Sequence, residues 1–281
     1  MVDYQPIIDV ADGRIIIMEA LARWVHPKHG RIGPNEFIPL AEETGAIRPI
    51  TASVVEQALQ QQRAWQDDGH DVRVSVNLSA DSLAEPDLTA GIAAMLVRSG
   101  VPPERLILEI TESSLMAEPG RTIATLTGLT ELGVGLAIDD FGTGYSSLSY
   151  LQQLPVHAVK IDKSFVMGLC ESSVNAVIVR SIVDLGLSLG LAVIAVGVED
   201  RQSLELLKLF GCRNAQGFYV GRPMPAEGVM AHLSSQRSRP SPWAKVVDLS
   251  RPRVASAGGG RPKWRGGDDV TSEAGPAAAH R

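Results

Sequence analysis

The sequence predicts an α/β fold, a modified TIM (β/α)8 barrel with an antiparallel first strand. Three observations lead there. Short runs rich in Val, Ile and Leu recur near residues 4–10, 13–20, 72–77, 105–110, 134–139, 157–161, 191–196 and 215–219, as strands buried on both faces should. Most are separated by helical patterns long enough for right-handed crossovers. Asp12-Gly13 lies between the first two runs, a tight-turn signal that makes that pair a hairpin. A doubly wound open sheet shares the alternation, but it would gather its polar residues at one switch point, whereas here nearly every strand ends in one.

Taken in order, "YQPIIDVADGRIIIMEAL" supplies the hairpin strands. "GPNEFIPLAEETG" opens a helix at Pro34 and Asn35 and stops it at Gly45, because Pro suits a first turn and Gly the position past the last. "SADSLAEPDLTAGIAAMLVRSG" predicts one helix capped by Asp81 or Ser82 and ended by Gly100. "ESSVNAVIVRSIVDLGLSLG" keeps apolar residues at three-to-four spacing up to Gly190, and "DRQSLELLKLFG" does so up to Gly211. These elements define a domain over residues 1–236. Residues 237–281 are rich in Pro, Gly, Ser, Arg and Ala without apolar periodicity, which predicts a disordered tail. The string "RGGDDV" inside it resembles the GGDEF signature of diguanylate cyclases but lacks strand and helix context, so it reads as coincidence.

A chain of 281 residues, 44% hydrophobic and 21% charged, can bury a large core. Its longest uncharged apolar stretch, Leu185–Val198, falls short of the roughly 20 residues of a membrane span, and no basic region followed by an apolar run opens the chain, as a secretory signal would. Cys170 and Cys212 lack metal-type spacing and read as free, buried thiols of a reducing, cytoplasmic compartment. The tail holds nine basic and four acidic residues, so of the net charge of −6 the body carries −11. Such a body repels nucleic-acid polymers, and an anionic substrate would need cations to mediate its contact.

In a barrel the strand C-termini converge on one mouth. Read in order, those ends are Glu19, Asn77, Glu109, Asp139 with Asp140, Lys160, Val196 and Gln216. Carboxylates packed that closely take up protons or bind cations, and ligation by oxygen alone suits hard ions, Mg²⁺ or Mn²⁺. Asp162 alternates with Lys160 and so faces the same mouth, either as its salt-bridge partner or toward a substrate. His26, His29 and His157 show no ligand spacing and read as solvated; Trp24 and Trp65 read as packing residues.

Six segments carry a family resemblance: "EALAR" at 19–23, "NLS" at 77–79, "EITES" at 109–113, "DDFGTGYSSLSYL" at 139–151, "KIDKSFV" at 160–166 and "QGFYVGRPMP" at 216–225. Together they resemble the EAL family of cyclic di-GMP phosphodiesterases over about residues 2–233. The resemblance implies hydrolysis of cyclic di-GMP to linear pGpG with two Mg²⁺ or Mn²⁺ ions. It implies that Glu19, Asn77, Glu109 and Asp139 hold the first ion, and that Asp139 and Asp140 hold the second. Lys160 would hold the attacking water or a phosphate oxygen, while Glu112 and the GTGYSS loop keep the Asp pair in place. Arg23 would reach the other phosphate, Leu21 would lie on a guanine, Gln5 and Gln216 would meet base edges, and Glu199 would serve the mouth. The resemblance further implies homodimers pairing near the DDFGTGYSS loop, and a helix before the first strand; that strand begins almost at Met1 here, leaving one end of the barrel less covered.

One position departs from the family. Its pattern A-E-G-V-E appears here as Ala195, Val196, Gly197, Val198, Glu199. In active members that first Glu is a ligand of the second metal or a partner of the attacking water, and valine has no oxygen to supply. Two expectations follow: a phosphodiesterase slowed by Val196, or a catalytically degenerate EAL domain that binds cyclic di-GMP as a sensor or interaction module.

Overall fold

The computed structural model describes residues 1–116, 119–144 and 148–234. The expected tail, with its RGGDDV string, lies outside these residues, as do Tyr145, Ser146 and Ser147 of the glycine-rich loop.

The strands are β1 (Val2–Asp9), β2 (Ile15–Ala22), β3 (Trp24–His26), β4 (Gly30–Ile32), β5 (Arg73–Asn77), β6 (Leu106–Thr111), β7 (Gly135–Phe141), β8 (Ala158–Ile161), β9 (Ala192–Val196) and β10 (Asn214–Gln216). The helices are α1 (Pro34–Glu43), α2 (Ile47–Asp67), α3 (Ala80–Leu83), α4 (Leu88–Ser99), α5 (Glu112–Met116), α6 (Pro119–Glu131), α7 (Leu148–Gln153), α8 (Lys163–Val166), α9 (Ser173–Ser188), α10 (Arg201–Leu209) and α11 (Ala226–Ser234). Eight strands close into a barrel in the order β1-β10-β9-β8-β7-β6-β5-β2, with β3 and β4 forming a separate hairpin. All barrel neighbours are parallel except β1, which is antiparallel to both β2 and β10. The expected modified barrel is therefore the fold.

The antiparallel start follows from the turn at Asp12-Gly13. Gly13 has φ 72°, a left-handed conformation that glycine adopts without steric cost. The Asp9 carboxylate accepts the Ala11 N–H at 2.8 Å and the Asp9 carbonyl accepts that of Gly13 at 2.8 Å, closing the turn.

The core has two compartments. Outward faces of the strands meet the helices in a large cluster that includes Val74, Leu106, Leu108, Leu136, Val159 and Val193. Inside the barrel, Ile7, Ile16, Ile17, Ile107, Ala137 and Ile194 form a second, smaller cluster, against which Ala158 and Val196 pack. Trp65 is fully buried with its ring centroid 5.0 Å from that of Tyr4 in an edge-to-face pair, while Trp24 packs edge-on to Phe37.

Four local readings need correction. The helix expected after Asn77 is two, α3 and α4, separated around Pro86; proline has no N–H to donate and its ring crowds the preceding turn. The cap is Ser79, whose hydroxyl accepts the Ser82 N–H at 3.2 Å, rather than Asp81 or Ser82. His157 is half-buried, and its Nδ1 accepts the Leu136 N–H at 3.1 Å, so it joins strands instead of facing solvent; burial and then the Arg73 charge lower its pKa. Of the two thiols only Cys212 is buried; Cys170 is exposed.

Helix α9 lies against β9 through Gly186, where an added Cβ would stand 2.4 Å from Val193 Cγ2. Both elements must move to admit a methyl group. Gly186→Ala should therefore destabilise the domain by about 1–3 kcal/mol, read as a lower urea midpoint with an unchanged far-ultraviolet circular dichroism spectrum.

Candidate active site

Side chains alternate across each strand, so residues two apart share a face. Interior positions therefore lead to mouth positions: Ile17 to Glu19, Ser75 to Asn77, Ile107 to Glu109, Ala137 to Asp139, Ala158 to Lys160, Ile194 to Val196 and Asn214 to Gln216. Gln5 reaches the same level from the antiparallel side, paired in register with Glu19. Barrel closure brings these ends together from strands far apart in sequence.

Lys160 is the centre of the cluster and is 1% exposed. Its Nζ contacts Glu109, lies 3.1 Å from Glu19 Oε2 and 3.7 Å from Asp139 Oδ1. Burial works against its charge, but Asp139, Glu109 and Glu19 outweigh it and hold the ammonium pKa well above its ordinary value. The two buried glutamates divide unequally. Glu19 accepts hydrogen bonds from Asn77 Nδ2 at 2.7 Å, from Gln216 Nε2 and from Lys160. Against the opposing effect of burial, Lys160 and these amide donors lower its pKa. Among the described residues Lys160 is the one side-chain donor to Glu109; burial, then the neighbouring Glu19 charge, push its pKa up to about 8. Glu19 therefore carries the charge and Glu109 holds the proton near neutral pH.

Asp139 and Asp140 end β7. Asp140 is the sole non-glycine residue with positive φ among the described residues, at 54°. Regular alternation would turn it to the outer face; the left-handed twist breaks that alternation, and its N–H donates to Asp139 Oδ1 at 3.0 Å. Its carboxyl hydrogen-bonds Asp162, and burial, then Asp139 and Asp162, raise its pKa to about 6. Glu112, buried at the start of α5, accepts the N–H groups of Gly142 at 3.0 Å and Gly144 at 3.2 Å, tying the turn after the Asp pair to β6.

Other expected site residues lie differently. Asp162 does not pair with Lys160: its Oδ1 accepts the Ser164 N–H at 2.9 Å and the Ser164 hydroxyl, capping α8. Gln216 is buried, and besides Glu19 its Nε2 donates to Gln5 Oε1 at 3.3 Å, while Gln5 Nε2 donates to the Gly221 carbonyl at 3.0 Å. These two amides are turned toward the protein. Arg23 donates through Nε to Asp3 Oδ2 at 2.9 Å and through Nη1 to the Ala22 carbonyl. Leu21 is half-buried and Glu199 exposed. Asp3, which also pairs with Arg31 at 3.7 Å, escaped the sequence reading; its position two residues before Gln5 was the available signal.

Among the described residues no three His, Cys, Asp or Glu side chains are arranged to hold an ion, because the Lys160 ammonium stands where the carboxylates converge. The donor set nevertheless suits a hard cation. Glu19, Glu109 and Asp139 offer carboxylate oxygens, Asn77 turns its amide nitrogen to Glu19 and so leaves Oδ1 available, and Gln216 Oε1 is buried with no hydrogen-bond partner. A buried acceptor left unpaired is costly, and a cation is one way to satisfy it.

Fold and site together define a class: a parallel barrel with one reversed strand and an acidic mouth organised around a buried lysine. The EAL domain family matches residues 1–223, and the chain belongs to that family. It is 46% identical over 232 residues to the bifunctional diguanylate cyclase/cyclic di-GMP phosphodiesterase MucR of Pseudomonas aeruginosa, a match covering 82% of this chain and 34% of MucR. It is 40% identical over 240 residues to the cyclic di-GMP phosphodiesterase NbdA of the same organism, covering 85% of this chain and 31% of NbdA. The chain thus spans about a third of the length of these curated relatives. Among solved structures it is similar to the PaMucR phosphodiesterase in complex with c-di-GMP, with a TM-score of 0.79 and 46% identity over 82% of this chain and 93% of that one.

Removing the Glu112 carboxylate frees two amides in the turn behind Asp140. Hydrogen bonds to a charged group are worth about 1.5–3 kcal/mol, so Glu112→Ala should speed hydrogen exchange at Gly142 and Gly144 by about 10–100-fold. Unchanged exchange there would show that the turn holds without Glu112.

Proposed function

We propose that this chain is a metal-dependent phosphodiesterase that hydrolyses cyclic di-GMP to linear pGpG, using Mg²⁺ or Mn²⁺. The observation that carries this reading is the buried Lys160 ringed by Glu19, Glu109 and Asp139 at the mouth of an EAL barrel. The solved relative at 46% identity holds c-di-GMP, and the same nucleotide is the substrate proposed here.

Glu19, Asn77, Glu109 and Asp139 would hold one ion, and Asp139 with Asp140 a second. Divalent ions bound there supply Lewis acidity to the phosphoryl group and lower the pKa of the attacking water. The protein's own groups do the rest. Lys160 donates to the water or to a phosphate oxygen from a position that its carboxylate partners define. Gln216 and Gln5 steady Glu19 instead of reading a base. Arg23, preset by Asp3, offers a charge-assisted hydrogen bond to the second phosphate, and Leu21 gives a guanine an apolar face. Glu112 fixes the turn that aims Asp140; Asp162 limits where Asp140 can go, and Glu199 lines the outer rim.

Residues 1–236 form the working unit, with 237–281 as an appended tail. Among the described residues no helix is long and apolar enough to cross a membrane. Free cysteines, one exposed and one buried, support a cytoplasmic setting, and the acidic body argues against nucleic-acid polymers as partners. A homodimer completes the reading by resemblance to the family.

A second reading is favoured by one observation: Val196 occupies a mouth position and packs on the apolar interior cluster. On that reading the domain binds cyclic di-GMP without turning it over. Measuring pGpG release with Mn²⁺ separates the two. Release by the unaltered chain, increased at least tenfold by Val196→Glu because a direct metal partner is worth at least that much, is expected. Tight binding with no turnover until the glutamate is introduced would establish the sensor.

Ion uptake should also depend on pH. Ligation needs ionised carboxylates, and the proton on Glu109 leaves only near pH 8. Mn²⁺ affinity should therefore rise as pH goes from 6 to 8, by up to about 100-fold at one decade per pH unit. Calorimetry in buffers of different ionisation enthalpy should detect the released proton. A flat profile would contradict Glu109 as a ligand.

A further inference from the structure

We infer that Arg31, on the β3–β4 hairpin, is a nucleotide-binding residue that joins Arg23 in holding the phosphate left uncleaved. This rests on the phosphodiesterase reading and adds one side chain to it. The placing of the hairpin is what points there. Arg23 alone separates β2 from β3, so the hairpin rises directly from the mouth end of the barrel. Alternation gives it two faces. Trp24 and Ile32 are paired in register on one, and Trp24 packs edge-on to Phe37 of α1. Val25 and Arg31 are paired on the other, and from there the Arg31 guanidinium reaches back to Asp3. Asp3 shares a strand face with Gln5 and the interior residue Ile7, and it is the cross-strand partner of Leu21. Arg31 therefore overhangs the mouth.

Two guanidinium groups meet there at one carboxylate oxygen. Arg23 Nε lies 2.9 Å from Asp3 Oδ2, and Arg31 Nη1 lies 3.7 Å from the same atom. The two contacts differ in kind. Arg23 is hydrogen-bonded to Asp3 and, through Nη1, to the Ala22 carbonyl, which leaves its Nη2 for a ligand. Arg31 is beyond hydrogen-bond length and keeps 64% of its side-chain surface exposed, so its donors are not spent on Asp3. Nor can one carboxylate balance both cations: Asp3, Arg23 and Arg31 together carry +1. Among the described residues Asp3 is the one acid within ion-pair distance of Arg31; Glu36, the nearest along the chain, lies against Gly33 instead. A phosphodiester carries −1 and has two non-bridging oxygens, one for each guanidinium, and each such contact is a charge-assisted hydrogen bond.

The test is a calorimetric titration of the full chain with cyclic di-GMP, in EDTA and then in Ca²⁺, alongside pGpG release with Mn²⁺. Arg31→Ala should weaken binding about tenfold, the lower end for a hydrogen bond to a charged group. Arg31→Lys keeps the charge but loses the planar fork, so its loss should be smaller but measurable. The losses from Arg31→Ala and Arg23→Ala should not add, as expected of two groups on one phosphate. Arg98→Ala removes a comparably exposed arginine, paired with Glu56, and should leave affinity unchanged. Unchanged affinity in a folded Arg31→Ala, additive losses, or an equal loss in Arg98→Ala would overturn the inference and leave the phosphodiesterase reading intact. Should Arg31→Ala not fold, Arg31→Lys decides on the same terms. The expected losses in a chain that never releases pGpG would uphold Arg31 and end the phosphodiesterase reading. No binding of cyclic di-GMP in either buffer would overturn both.

Discussion

A single buried ammonium is the constraint on which this structure turns. Two glutamates and an aspartate converge where water is nearly absent, and such a group cannot ionise together without a cation among them. Lys160 supplies part of that charge, and its Nζ contacts or approaches all three. The consequence is an unequal pair. Glu19, with two amide donors besides the lysine, keeps its charge, and Glu109, with the lysine alone, takes a proton near neutrality.

The barrel makes this convergence possible by closing through a reversed strand. β1 pairs antiparallel with both β2 and β10, so its residues descend from the mouth while all the others ascend to it. Gln5 enters the mouth layer from the opposite direction and meets Gln216 beside Glu19. Below them the interior holds Ile17, Ile107 and Ile194, with Ala137 and Ala158 beneath Asp139 and Lys160, around a cavity of about 30 Å³ that Arg73 and His157 also line.

Where β7 ends, backbone geometry takes over from alternation. Asp139 and Asp140 are consecutive, and in a regular strand they would face opposite sides. The positive φ of Asp140 swings the second carboxylate to Asp162 at the rim, and the backbone N–H groups of Gly142 and Gly144 are then gathered by Glu112. At Gly144 an added Cβ would come 2.8 Å from that carboxylate, so the glycine is required by close approach. An adjacent pair of aspartates thus takes two different positions, one against Lys160 and one at the rim, by a twist of one residue.

Periodicity and turn chemistry made much of this legible from sequence. Eight apolar runs, the Asp12-Gly13 hairpin and a useful residue at the end of nearly every run were enough for the barrel, its reversed start and the identity of the mouth residues, because strand alternation and the direction of parallel strands are local consequences of composition. The departure at Val196 was equally visible. Which partner each side chain takes was not. Asp162, which could have paired with Lys160 or met a substrate, caps α8 and does not pair with Lys160; Gln216 donates to both Glu19 and Gln5; Asp3 gave little sign that it holds Arg23; and His157, with no ligand spacing, spans two strands. Apart from the local Asp162 cap, these pairings join residues 20 to 211 positions apart and depend on barrel closure and strand stagger. Sequence alone determined which groups reach the mouth, since that follows from a period of two; the tertiary structure decided which of them stay charged, since that depends on distances set only when the barrel closes.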